Sequence, residues 1–307
     1  MPAKTKSAKT KQVPKSKPEA VLRSRVLAVP RVVHGFSTRL KPGATKAPRE
    51  SLVPGLRSSD FNLGFVEGAT KATVERNRAE FIRAVHGGRS PKWTLVQMKQ
   101  IHSDLIHVLR VPPDHPLNGD GLVTNVPRLL LASKTADCVP VLIADPKRRV
   151  VGAFHAGWRG TVKRIVEKGV GVMRRDFGCN PADLRAAIGP CVRVCCYEIG
   201  DEVRDAFRAQ FAYDEELFQE VFDNDPVKQK YPNLFLTARA PGHAEISRQI
   251  HLDLVAANRR QLLEAGVKEK NIDVVGECTA CHTATLFSHR KERGLTGRMM
   301  AVIGIRE

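Results

Sequence analysis

Aromatic side chains make up only 6% of the 307 residues, so a core has to be built from Val, Leu, Ile and Ala. No apolar run approaches the roughly 18 residues that span a bilayer. The longest runs, 129–131 and 139–144, are strand-sized. The N-terminus lacks the ordered blocks of a secretion signal. Seven cysteines are too few for a disulfide scaffold in a chain of this length, and a reducing cytoplasm with free or metal-bound thiols is the expectation. Neither GxGxxG nor GxxxxGK(S/T) occurs, which argues against dinucleotide and P-loop enzymes. No repeat of roughly 20–50 residues is visible. Acids are outnumbered, with 32 Asp and Glu against 50 Lys and Arg and a net charge of +18. Such a field favours anionic partners, among them nucleotides, phosphate and nucleic acid.

Residues 1–25 hold eight Lys or Arg against one acid, Glu19. A segment so poor in apolar groups cannot offset the entropy of ordering, so it reads as a disordered basic tail able to touch nucleic acid only weakly. Residues 26–307 read as one globular domain. A Pro/Gly-rich stretch over 41–56 reads as a mobile loop. Strands are expected from Val32, at 93–96, 128–133, 138–144, 150–155, 184–188, 272–275 and 298–305. Helices are expected at 70–84, from an N-cap at Thr161 to a stop at Gly178, at 201–211 and at 246–265. Strands and helices mix without strict alternation, which favours an α+β layered domain over a doubly wound sheet.

Three segments carry metal-binding side chains at expected strand ends: Gln100-Ile101-His102, Thr135-Ala136-Asp137-Cys138 and His155-Ala156-Gly157-Trp158-Arg159-Gly160. The spacings are not those of a zinc finger, so only folding can unite them. Two imidazoles and a thiolate suit Zn2+ and leave a fourth position open for water or substrate. Each residue alone also reads plainly, the histidines as surface or hydrogen-bonded groups and Cys138 as a small core side chain.

These segments, with His34-Gly35-Phe36-Ser37-Thr38-Arg39, Asn62-Leu63-Gly64, Asn77-Arg78, Gly119-Asp120-Gly121, Ile188-Gly189-Pro190, Cys196-Tyr197-Glu198, Cys278-Thr279 and Thr296-Gly297-Arg298, resemble the YfiH family. It is also called the laccase-domain or multicopper polyphenol oxidase family. The resemblance covers essentially 26–307. It implies a single four-layered α/β/β/α domain with mixed sheets and Zn2+ on His102, Cys138 and His155. It further implies phosphorolysis of adenosine, inosine and S-methyl-5′-thioadenosine, with adenosine deamination as a second activity. Copper is the lesser expectation, because multicopper oxidases generally need His-x-His pairs and the ten histidines form none.

Phosphorolysis needs a phosphate site, and guanidinium groups bind phosphate bidentately. Arg39 and Arg78 are the expected phosphate ligands, with Asn62 as a donor to phosphate or ribose. Asp137 is read either as the acceptor that orients a ligand imidazole or as a turn cap. Arg159 contacts substrate or shapes its turn, and Trp158 packs. The chain departs from the family pattern at His289-Arg290-Lys291-Glu292-Arg293-Gly294, where Tyr-Arg-Arg-Asp-Gly is common, and Lys134 adds an unusual positive charge near the metal ligands. Cys278-x-x-Cys281 has zinc spacing and could pair with Cys191, Cys195 or Cys196; a redox pair is a second reading, and free thiols are the expectation. A cysteine hydrolase or amidase editing peptidoglycan precursors is the main alternative function, with Cys138 as nucleophile and His102 or His155 as base.

Overall fold

The computed structural model describes residues 19–44, 55–88, 92–222 and 248–307. Two mixed sheets lie face to face. One runs in the order Val21–Leu22, Val32–Ser37, Met299–Ile305, Leu129–Thr135, Thr94–Val96. The other runs Ile272–Val274, Arg185–Ile188, Val139–Asp145, Val150–Ala156, Gly121–Thr124, Ile106–Leu109.

Side chains on a strand point alternately to opposite faces, so a strand covered on both sides feeds two cores. On Val139–Asp145, Val139, Val141 and Ile143 meet Val166, Val170 and Met173 of helix Ile165–Phe177, while Leu142 and Ala144 turn toward the other sheet. On Met299–Ile305, Ala301 and Ile303 enter the layer between the sheets, and Met300 and Val302 meet Phe81 and Val85 of helix Lys71–His86. The result is four layers, helix on sheet on sheet on helix, as the resemblance implies. Double burial is why these strands read as continuous apolar runs.

Several boundaries differ from the sequence expectation. The helix expected over 246–265 is a strand, Arg248–Leu252, followed by helix Leu254–Glu264. Asp253 divides them, its carboxylate accepting the Ala256 N–H at 2.8 Å; aspartate stabilises a helix start better than a helix interior. Thr161 is not an N-cap. It is buried within a short helix, Trp158–Val162, and the left-handed Arg164 (φ 61°) separates this from Ile165–Phe177. The stop at Gly178 is as expected, with φ 65°. Residues 19–25, assigned to the tail from sequence, are part of the domain: Val21–Leu22 pairs with Phe36 and Ser37, and Arg23 donates to the carbonyls of His34 (2.8 Å) and Val85 (2.9 Å). The rest of the tail, 1–18, and most of the expected loop at 41–56 lie outside the described residues.

Candidate metal centre

A hairpin closes the distance between Cys138 and His155. Strands Val139–Asp145 and Val150–Ala156 pair with Val139 opposite Ala156 and Pro140 opposite His155. Extending that register one step sets Cys138 against Gly157. There a β-carbon would lie 2.9 Å from His102 Cδ2 and 3.2 Å from Cys138 Sγ, so glycine is required for the approach. His102 arrives from the loop before Ile106–Leu109 with φ 57°, a left-handed conformation rare for a residue with a side chain.

The ligand atoms of His102, Cys138 and His155 all lie within 4.8 Å of one another. Cys138 Sγ is 3.9 Å from His102 Nε2, close to the roughly 3.6 Å separating an S and an N ligand on one tetrahedral zinc. The three residues expected from sequence are therefore brought together, with His155 buried and His102 exposed.

Asp120 organises them. Fully buried, it accepts from His155 Nδ1 at 2.8 Å, which turns Nε2, the other ring nitrogen, toward the trio. The same carboxylate accepts the N–H groups of Ile101 (3.2 Å), His102 (3.1 Å) and Ser103 (2.7 Å), fixing the strained His102 loop. Burial alone would raise its pKa, but His155 and the Ser103 donors hold the carboxyl far below its usual range. The sequence reading left Asp137 as either the orienting acceptor or a turn cap. Asp137 instead fastens loops, accepting from Thr279 Oγ1 at 2.6 Å and Arg290 N at 2.7 Å. Asp120 lay in a matched motif, Gly119-Asp120-Gly121, and an acid between glycines was the only hint of its role.

Burial pushes the Cys138 thiol up, but the neighbouring His155 and His102 imidazoles outweigh it and bring it to about 6. Burial likewise lowers His155, and Cys138 with Asp120 overrides that and lifts it to about 9. The pair is poised as thiolate and imidazolium; the thiolate is a donor form a soft or borderline cation takes, and His155 would release its Nε2 proton on binding one.

The expected phosphate ligands divide. Arg39 is buried and fully committed: it pairs with Asp60 (2.8 Å) and Glu292 (2.7 Å) and donates to Thr283 O (3.0 Å). Asn62 is buried, its Oδ1 accepting from Gly64 N (3.0 Å) and Arg298 N (2.8 Å) and one Nδ2 hydrogen donated to Gly64 O (2.8 Å). These contacts give Arg39 a structural role, while Asn62 has one of its two Nδ2 hydrogens engaged. Glu292, the acid of the divergent 289–294 segment, is thus a partner of Arg39; it also accepts from Ser288 N at 3.1 Å.

Arg78 is different. Its Nε donates to Leu63 O at 2.8 Å and its guanidinium covers Phe65 at 4.4 Å, yet no carboxylate pairs with it among the described residues. Burial, then the charges of Arg78 and Arg298, lowers the Lys134 pKa, which places the three cations in one field. Arg298 in turn feels Asp137 and Cys138, so this cluster, which forms no close ion pair among the described residues, borders the metal ligands. Sequence reasoning left Arg298 without a role. Arg159 is exposed, its guanidinium 4.2 Å over the Trp158 ring.

Comparison with known proteins places the chain in a family. The profile of the multi-copper polyphenol oxidoreductase laccase family matches residues 33–306. A protein named purine nucleoside phosphorylase YlmD, from Geobacillus stearothermophilus, is 39% identical over 286 residues, 90% of each chain. One named adenosine deaminase RL5, from an unknown prokaryotic organism, is 36% identical over 172 residues, 56% of each. The crystal structure of the Geobacillus stearothermophilus YlmD superposes with a TM-score of 0.73 at 31% identity, covering 95% of this chain and 98% of that one. The chain belongs to the multi-copper polyphenol oxidoreductase laccase family, and like its relatives it is an enzyme.

Proposed function

We propose that the protein is a zinc-dependent purine nucleoside phosphorylase acting on adenosine, inosine and S-methyl-5′-thioadenosine, with adenosine deaminase activity. The observation that carries this reading is the His102–Cys138–His155 trio beside the cations Arg78, Lys134 and Arg298, which lack a carboxylate partner among the described residues. A metal site alone suits many reactions. A metal site next to guanidinium groups without a close ion pair suits one with an anionic co-substrate.

His102, Cys138 and His155 would hold Zn2+, with Asp120 fixing the His155 tautomer. Bound Zn2+ supplies Lewis acidity that makes an oxygen nucleophile available near pH 7. Arg78 and Arg298 hold phosphate in reach of the ribose, and Lys134 adds charge without competing for geometry. Arg159, exposed beside the Cys138 turn, contacts the nucleoside. Seven free cysteines suit a reducing cytoplasm, and among the described residues no helix is long and apolar enough to cross a membrane.

Cys138 near a pKa of about 6 beside His155 also suits a cysteine hydrolase. Chelation separates the two readings, since a phosphorylase loses activity with its metal and a cysteine nucleophile does not. The direct test incubates purified protein with adenosine, with and without phosphate, and resolves the products for wild type and His155→Ala. Adenine is expected only with phosphate, and hypoxanthine-ring products independently of it, both lost in the variant. Stoichiometric zinc without phosphate-dependent base release from any of the three nucleosides would sink the proposal.

A further inference from the structure

Away from the trio, the fold gathers a second set of sulfurs. The Sγ atoms of Cys195, Cys196, Cys278 and Cys281 all lie within 4.8 Å of one another. Cys281 Sγ is 3.3 Å from Cys196 Sγ and 3.6 Å from Cys195 Sγ. In a tetrahedral site with Zn–S bonds of roughly 2.3 Å, neighbouring sulfurs stand about 3.8 Å apart. Four sulfurs this close leave room for one ion and none for a cluster of several irons.

The backbone is arranged for the same purpose. The two loops meet at a bridge between Cys191 and Cys278, with Thr279 N–H donating to Cys191 O at 3.0 Å. Around the Cys278-x-x-Cys281 turn, Cys278 Sγ accepts the N–H of Arg193 at 3.4 Å and is faced by the N–H groups of Ala280 and Cys281. Several backbone donors aimed at one sulfur favour a thiolate, the form that binds metal. Cys191, which spacing along the chain also allowed as a partner of this turn, stands outside the set: its role is the backbone bridge.

We infer that Cys195, Cys196, Cys278 and Cys281 bind a second Zn2+ in a closed four-thiolate site. Each thiol releases its proton to solvent on binding, and no position remains for substrate, so the site is structural. It ties the 191–197 loop to the 276–282 loop, and Thr279 on the second of these holds Asp137, the neighbour of Cys138, at 2.6 Å. The tie thus stiffens one wall of the catalytic metal site.

Elemental analysis of the full chain, purified reduced and without chelator, tests this independently of any activity. Wild type should carry two zinc ions per chain. The His102→Ala/His155→Ala variant should retain one, and cobalt exchanged into it should give the intense thiolate-to-metal absorption of a four-sulfur site. Cys281→Ser in that background should lose the remaining ion. A thiol reagent under native conditions should find four more cysteines after chelation in the double variant, which needs no cysteine replacement. A double variant with no bound metal, or with iron in place of zinc, overturns the inference. So does a Cys196–Cys281 disulfide in peptides from protein purified without reductant and alkylated on lysis.

Discussion

Asp120 joins the imidazole of His155 and the backbone N–H of His102 to one buried carboxylate. Partners of this kind set ligand orientation and basicity, and their loss typically lowers metal affinity about 10–100-fold. Asp120→Asn is expected to lose zinc affinity by that factor in competition with a chromogenic chelator, while far-UV circular dichroism stays unchanged. The arginines make a sharper contrast. Arg39→Ala leaves Glu292 buried without its cation and Asp60 with Arg57 alone, and breaking a buried pair typically costs about 3–5 kcal/mol. Arg298→Ala removes a half-buried charge that forms no close ion pair among the described residues; a charge-assisted hydrogen bond contributes roughly 1.5–3 kcal/mol, so the KM for phosphate should rise about 10–100-fold with the urea midpoint preserved. An Arg39→Ala protein of native stability with a raised phosphate KM would return Arg39 to the phosphate site.

At the scale of elements, Gly157 and Asp253 show what local sequence can and cannot announce. Asp253 caps helix Leu254–Glu264, and Asp253→Ala should cost about 1 kcal/mol in chemical denaturation, as cap losses typically do. That cap was readable, yet the apolar spacing of Ile250 and Leu254 matched a helical period and hid the strand before it. A strand of five residues at a small sheet carries too few alternations to outvote a longer helical pattern. The strands Leu129–Thr135, Val139–Asp145 and Val150–Ala156 were legible to within two residues, because burial on both faces writes an unbroken apolar run. Gly157 reads as a turn glycine in the sequence. Only the hairpin register reveals that it faces Cys138 and leaves no space for a β-carbon.

For the whole molecule, the join between the N-terminal strand and the rest of the domain titrates. His34 is buried, and its Nε2 accepts the Ser24 N–H at 2.9 Å. Burial, with Arg23 beside it, pushes the imidazole down to about 4. Between the unfolded value of about 6.5 and 4, the unfolded chain binds a proton here that the native chain refuses. Stability therefore falls as pH drops through that window, by about 3 kcal/mol from this group when the window is crossed. Urea midpoints at pH 7 and pH 4.5 should separate less in His34→Gln than in wild type; equal separation would exclude His34 as the source.

Taken alone, the sequence determined the mixed α+β class and the excess of positive charge, because these rest on residue types and on periodicities that burial imposes locally; His102, Cys138 and His155 were scattered candidates that only the family resemblance joined. It did not determine which cations stay free. Arg39 and Arg298 stand in equally distinctive motifs, and only the packed chain shows one enclosed by Asp60 and Glu292 and the other left open beside Cys138. The same holds for Asp120 against Asp137 and for the four gathered cysteines. Which carboxylate, cation or sulfur meets which partner depends on contacts between residues up to some 250 positions apart, such as Arg39 with Glu292, and no local pattern records them.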